Sequence, residues 1–230
     1  MEEKIVVSQK LITSQKKIHG LISIAIIAFL SGSSYIFLKP IVEESGRSVL
    51  SMTIANGVVI AAIGLIGFFF AARVGFPWWW HSAERSAQGF EDTVYVLFSG
   101  IVLVILNTAI NTSGSEQVQQ MFSTGIFTPR IAIGFSLQAA VNEEIIFRLC
   151  TFSGITWLAR HFIHSHQKSL ICGAITSVFF FALFHHGSGR VLAFSLGLIL
   201  VYIYYKRGLI PAMIVHFFAN AIPFLLISSS

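Results

Sequence analysis

Seven consecutive residues, Asn142-Glu143-Glu144-Ile145-Ile146-Phe147-Arg148, hold the most distinctive chemistry in this sequence. They sit in the middle of an apolar stretch, residues 131–159, in which Glu143, Glu144 and Arg148 are the only Asp, Glu, Lys or Arg. A charge at bilayer depth costs at least about 2.5–3.5 kcal/mol on insertion scales, so such residues usually face protein or a water-filled cavity and serve a function. The plainer alternative is a buried ion pair that only ties helices together.

On an α-helix, Glu144 and Arg148 stand at i and i+4 with the acid N-terminal, the favourable order for an ion pair. Glu143 lies about 100° around the helix, nearer the face of Phe147. It has no local charge partner, which leaves it available for general acid–base chemistry. Glu143 is therefore expected to do the chemical work, with Glu144 and Arg148 in support.

Further polar groups fall in the later apolar runs. One is His185 in Phe181-Ala182-Leu183-Phe184-His185, followed at once by His186. The other is His216-Phe217-Phe218-Ala219-Asn220, which puts His216 and Asn220 on one helical face. A single histidine in such a run is more often a hydrogen-bonded packing residue than a catalyst. A glutamate, a histidine on the next helix and a His/Asn pair on the last are together a candidate site. Phe181 at i−4 selects His185 by motif over His186, which would point about 100° away. Depth is a constraint: a straight helix starting at Ser169 carries His185 about 24 Å along, towards one surface, while His216 lies about 10 Å past Leu209, near the other. Their meeting requires a later helix start, a strong tilt or a recessed turn at 187–190.

In this order, EExxxR (Glu143, Glu144, Arg148), FxxxH (Phe181, His185) and HxxxN (His216, Asn220) resemble the CPBP family of intramembrane proteases. That family includes the CAAX prenyl endopeptidases and Abi-type proteins of bacteriocin processing and self-immunity. The resemblance spans about residues 132–220. It implies hydrolysis of a peptide bond inside the membrane, with Glu143 and His185 activating the attacking water, and His216 and Asn220 stabilising the oxyanion. Glu144 and Arg148 would orient the glutamate helix. Glu143, His185 and His216 could instead supply three zinc ligands with water fourth. Asn220 is a poor zinc ligand and the HExxH spacing is missing, so the expectation is a glutamate-type enzyme with no cofactor.

The elements that must position these groups are membrane helices. The 230 residues are 55% hydrophobic and 11% charged, with mean hydropathy +0.78, whereas soluble domains carry about 25% charged residues. Apolar runs at about 19–38, 49–74, 94–112, 131–159, 169–186, 191–205 and 209–227 predict an all-α, polytopic bundle of about seven spans (six to eight), with the cavity among the last four. The run 191–205 is the shortest and is expected to dip or tilt. The chain reads as one integral membrane domain, 1–230, with a polar N-terminal segment at 1–18 and a catalytic core at 131–220.

Charge places it in the membrane. The net charge of +5 resides in short loops, where it marks topology and anionic-lipid contact rather than nucleic-acid binding. With the N-terminus cytoplasmic, ten Lys and Arg, among them Lys4, Lys16, Arg73 and Arg160, fall in inner segments, against Lys39, Arg47, Arg130 and Arg190 outside. This bias predicts a multi-pass cell-membrane protein with a cytoplasmic N-terminus.

Other features read as structural. Phe76-Pro77-Trp78-Trp79-Trp80-His81 predicts an interfacial aromatic belt. His161, His164 and His166 read as a solvated loop, with a metal site a minor alternative. Cys150 and Cys172 read as unpaired packing residues. The expected partners are the lipid bilayer and a peptide or protein substrate within it, such as a peptide precursor, a bacteriocin leader or a membrane-protein tail. A non-catalytic immunity or scaffold protein is the second reading, and a proton-coupled carrier a distant third, because paired broken helices are lacking.

Overall fold

Backbone groups at bilayer depth find no water, so a spanning segment must close its hydrogen bonds within itself, as a helix does. The computed structural model describes residues 2–77, 94, 98–106, 108, 128–185 and 189–228, with side chains except those of 2–17 and 227–228. Among these residues every regular element is helical: α1 (Glu2–Ser33), α2 (Lys39–Glu44), α3 (Val49–Val74), α4 (Pro129–Glu143), a π-helical segment (Glu144–Phe152), α5 (Ser153–Phe162), α6 (His166–Leu183), α7 (Gly189–Arg207) and α8 (Leu209–Ser228).

Among the described residues, five stretches are long and apolar enough to cross a membrane: Ile18–Ile36, Val49–Val74, His166–Leu183, Gly189–Arg207 and Leu209–Leu226. These correspond to the first, second, fifth, sixth and seventh predicted spans. The sixth is longer than its apolar core suggested, because helix extends to Gly189 at one end and through Lys206 and Arg207 at the other. The expected third span, 94–112, lies partly outside the described residues; within it, 98–106 is helical and buries Leu103. The polar N-terminal segment is helical from Glu2 and continues into the first span within one helix.

The fourth span departs most from expectation. Residues 129–162 are helical without interruption, but the middle is π-helix rather than α-helix. A π turn is rare and concentrates at functional sites. It begins at Glu144, inside the charged motif.

Close backbone approach holds the bundle together. A Cβ on Gly32 would meet the Thr53 carbonyl oxygen at 2.7 Å, at the crossing of α1 and α3. One on Gly67 would meet Cys150 N and Leu149 C at 2.9 Å, where α3 lies on the π-helical segment. The main core gathers Phe152, Val178, Phe181, Leu200, Ile203 and Tyr204. Gly208, at φ +97°, makes the one-residue turn that lays α8 back against α7, a conformation that glycine adopts at little cost. Large apolar side chains such as Phe29, Val58 and Phe179 are exposed on the outside, as fits a lipid-facing surface.

Several side expectations are resolved here. Phe76 belongs to the core, not to an interfacial belt: it is buried and stacks on Phe152 at 4.9 Å, with Tyr205 edge-on at 5.6 Å. Its neighbours 78–81 lie outside the described residues. His161 meets Trp157 edge-on at 4.8 Å, and His166 Nδ1 lies 2.7 Å from Arg160, which also donates to the Val74 carbonyl. Both cysteines are free.

Candidate active site

The π-helical segment starts where the chemistry starts. The hydroxyls of Thr151 and Ser153 donate to the carbonyls of Ile146 and Arg148, each five residues back. Ser177 on α6 donates to the Phe147 carbonyl at 2.6 Å. These hydroxyls supply partners to carbonyls along the widened turn. Ser153 also pairs with the Tyr204 hydroxyl at 3.1 Å, linking this segment to α7.

At the head of the segment the two glutamates bracket one imidazole. His216 Nδ1 on α8 lies 2.8 Å from Glu144 Oε1, and its Nε2 lies 3.6 Å from Glu143 Oε2. On the far side of Glu144, Arg148 Nε lies 3.3 Å from Oε2. Glu144 and Arg148 are fully buried and His216 is 1% exposed, whereas the Glu143 side chain keeps 29% of its surface open. The expected pairing of Glu144 with Arg148 is present, whereas Glu143, expected to be without a charge partner, lies partly open beside His216. A straight α-helix, however, would have sent them to different neighbours. The π turn advances by a smaller angle per residue, and both reach His216.

Phe181 is the floor of this cluster. The Arg148 guanidinium lies over its ring at 4.2 Å, a geometry in which ring and cation attract. His185 packs on the same ring at 4.8 Å and His216 meets its edge at 6.1 Å. The depth constraint is met although α6 begins earlier, at His166, for His185 and His216 both meet the Phe181 ring. His185 lies just past the end of α6, with Nδ1 2.9 Å from the Phe181 carbonyl. Because a carbonyl only accepts, Nδ1 carries the hydrogen and Nε2 of the neutral ring carries the lone pair. Among the described residues, no hydrogen bond or ion pair joins His185 to Glu143. His186 lies outside the described residues. Asn220 is half-buried one turn beyond His216 on α8.

The zinc alternative can be tested on the donors. His216 has both ring nitrogens facing carboxylates of adjacent residues, whereas His185 keeps Nε2 free. Among the described residues no three His, Cys, Asp or Glu are grouped so as to hold a metal ion. The residues Glu143, His185 and His216 therefore do not fit a zinc site as they stand.

Sequence reading missed three residues beside the site. Ser31 on α1, Asn56 on α3 and Asn142 on α4 hydrogen-bond to one another. Each is a polar residue in an apolar run, which is the available signal. Nothing in their separate positions says that they meet.

Residues 125–222 match the protein family described as Type II CAAX prenyl endopeptidase Rce1-like. This is the family of intramembrane proteases to which the three motifs pointed, and the match covers all of them. No curated protein matches the chain, and no solved structure does.

Proposed function

We propose that this multi-pass membrane protein is an endopeptidase that hydrolyses a peptide bond within the bilayer, using Glu143 as the base that activates water. The family match supports protease chemistry. The observation that carries the assignment is the contrast between the two glutamates. Glu144 is fully buried between Arg148 and His216, while Glu143 is partly open and its Oε2 accepts no hydrogen bond among the described residues.

In this reading Glu143 takes a proton from water as the oxygen bonds to the substrate carbonyl carbon. His185 offers Nε2 as a second acceptor for the same water. The carbonyl electrons move onto oxygen, where His216 Nε2–H and Asn220 donate to the oxyanion. Collapse then breaks the C–N bond, and Glu143 returns its proton to the leaving amine.

For His216 to donate from Nε2 while Nδ1–H is held by Glu144, the ring must be an imidazolium. Two cations, Arg148 and His216, then stand against two carboxylates, Glu143 and Glu144, and the buried cluster is neutral as a whole. A buried charge is tolerated only when it is paired in this way. Glu144 thus has a second task beyond orienting its helix: it holds the imidazole and supplies its countercharge. No metal takes part in this scheme.

The loop charges favour a cytoplasmic N-terminus in the cell membrane. The substrate is a peptide or the tail of a membrane-associated protein. The test is cleavage of candidate membrane peptides by the purified protein in lipid, run beside Glu143→Gln. Cleavage by the native protein that is lost in a normally folded Glu143→Gln supports the reading. Equal cleavage by both overturns it, and a function that survives Glu143→Gln and His185→Ala would indicate a non-catalytic membrane partner.

A further inference from the structure

Immediately before Glu143, three helices meet in a closed ring of hydrogen bonds. Asn56 Nδ2 on α3 donates to Ser31 Oγ on α1, Ser31 Oγ donates to Asn142 Oδ1 on α4, and Asn142 Nδ2 donates to Asn56 Oδ1 at 3.0 Å. Every side chain in the ring donates once and accepts once. Such circular networks polarise their members cooperatively and pin their geometry. Ser31 is buried outright and the two asparagines are half-buried. Ser34 Oγ donates to the Ser31 carbonyl at 2.6 Å, securing the end of α1 beneath the ring.

The ring sits where the helix faces an ambiguity that its sequence cannot resolve. Glu143 and Glu144 are chemically identical neighbours, and the segment beginning at Glu144 is π-helical. In a widened turn, Arg148 is near enough to the azimuths of both i−4 and i−5 for either acid to face it. A rotation of α4 by one residue would bury Glu143 against Arg148 and leave Glu144 in the open position. Asn142 is the last residue before this choice, and the ring fixes its direction from two other helices.

We infer that Ser31, Asn56 and Asn142 are positioning residues that select Glu143 as the open carboxyl group, so that α1 and α3 set the register of the catalytic helix. Two of the three lie outside the segment that matches the protease family. The first two spans thereby acquire a role in the site beyond crossing the membrane. The inference rests on the reading of Glu143 as the working base, but the register can be measured without it.

The experiment treats the whole protein in lipid nanodiscs with the hydrophobic reagent dicyclohexylcarbodiimide and quantifies adducts at Glu143 and Glu144 by peptide mass spectrometry. The native protein labels chiefly at Glu143. Losing one of the two hydrogen bonds that hold Asn142 shifts a two-position equilibrium about fivefold, so the Glu143-to-Glu144 ratio falls by about that factor in Ser31→Ala and in Asn56→Ala. Asn142→Ala, which removes both of them, lowers it further. Ser31→Thr keeps the hydroxyl and restores the native ratio. With a cleavable peptide, Ser31→Ala and Asn56→Ala lose kcat by up to about fivefold, because activity follows the share of molecules with Glu143 in the open position, with KM nearly unchanged.

A ratio that stays native in Ser31→Ala and Asn56→Ala overturns the inference, as does a Ser31→Thr variant as disturbed as Ser31→Ala. Ser31 and Asn56 lie on helices remote from the motifs, so the test stands even where Asn142→Ala does not fold. A shifted ratio in a protein that cleaves nothing would sink the protease reading and leave the ring's role intact. Normal cleavage with a fixed ratio would do the reverse.

Discussion

His216 and Glu144 are joined at 2.8 Å across 72 positions of sequence, both essentially out of reach of solvent. This contact ties α8 to the head of the π-helical segment and decides which nitrogen of His216 is committed. Because Arg148 lies on the other side of Glu144, one carboxylate serves both the guanidinium and the imidazole. Removing any one of the three leaves a charge that the interior cannot solvate.

Glu144→Gln is therefore expected to destabilise the protein by about 3–5 kcal/mol, the cost of stranding a buried charge. The double variant Glu144→Gln/Arg148→Met should recover much of that stability while remaining inactive, because His216 stays without its countercharge. Thermal unfolding in detergent, paired with a peptide-cleavage assay, separates the two effects. A double variant as unstable as the single one would mean that the pair is not the source of the loss.

Glu143→Gln should cost less stability and more activity. Its side chain is partly open, and among the described residues no hydrogen bond holds its Oε2, so the midpoint of unfolding should fall by less than in Glu144→Gln. Cleavage should fall about 10²- to 10⁴-fold, the contribution usual for a positioned general base. Measuring both on one preparation is decisive, since loss of fold and loss of chemistry would otherwise look alike.

Phe181→Leu removes the ring beneath Arg148 without opening a large cavity. A desolvated cation–π contact contributes about 2 kcal/mol, and the same ring also seats His185 and His216. Both stability and cleavage should fall. Phe179→Leu, at an exposed position on the same helix, serves as the control and should change neither.

Gly67→Ala places a methyl group 2.9 Å from backbone atoms of Leu149 and Cys150, which cannot swing aside as a side-chain end can. Overpacking of this kind typically costs about 1–3 kcal/mol. Because the displaced backbone belongs to the π-helical segment, activity should fall with stability. A neutral outcome, read by thermal unfolding and cleavage rate, would show that α3 and this segment can separate freely.

Prolonged treatment with a tight chelator should leave the cleavage rate unchanged, and added zinc should not raise it. Inhibition that zinc reverses would require Glu143, His185 and His216 to regroup as ligands and would overturn the metal-free scheme.

Much of the fold was legible because bilayer physics leaves few choices. An apolar run of sufficient length closes its own backbone hydrogen bonds, so five predicted spans reappear as helices. The motif residues were legible for a related reason, since Glu143, Glu144, Arg148, His185, His216 and Asn220 are polar groups in places where polarity is costly. Phe76 was misjudged because local composition cannot distinguish an aromatic ring at an interface from one stacked on Phe152 in the core. The π turn left no clear mark, because hydropathy and i,i+4 spacing read alike in both helical forms.

By itself, then, the sequence determined the all-helical membrane architecture and the set of polar side chains that stand out within it, because both follow from the cost of placing polar groups in an apolar medium. Tertiary structure alone decided which of two identical neighbouring glutamates is buried against Arg148, that both bracket His216, and that Ser31 and Asn56 reach Asn142 from other helices. Those outcomes depend on helix rotation and crossing, and rotation is set by contacts between residues dozens of positions apart.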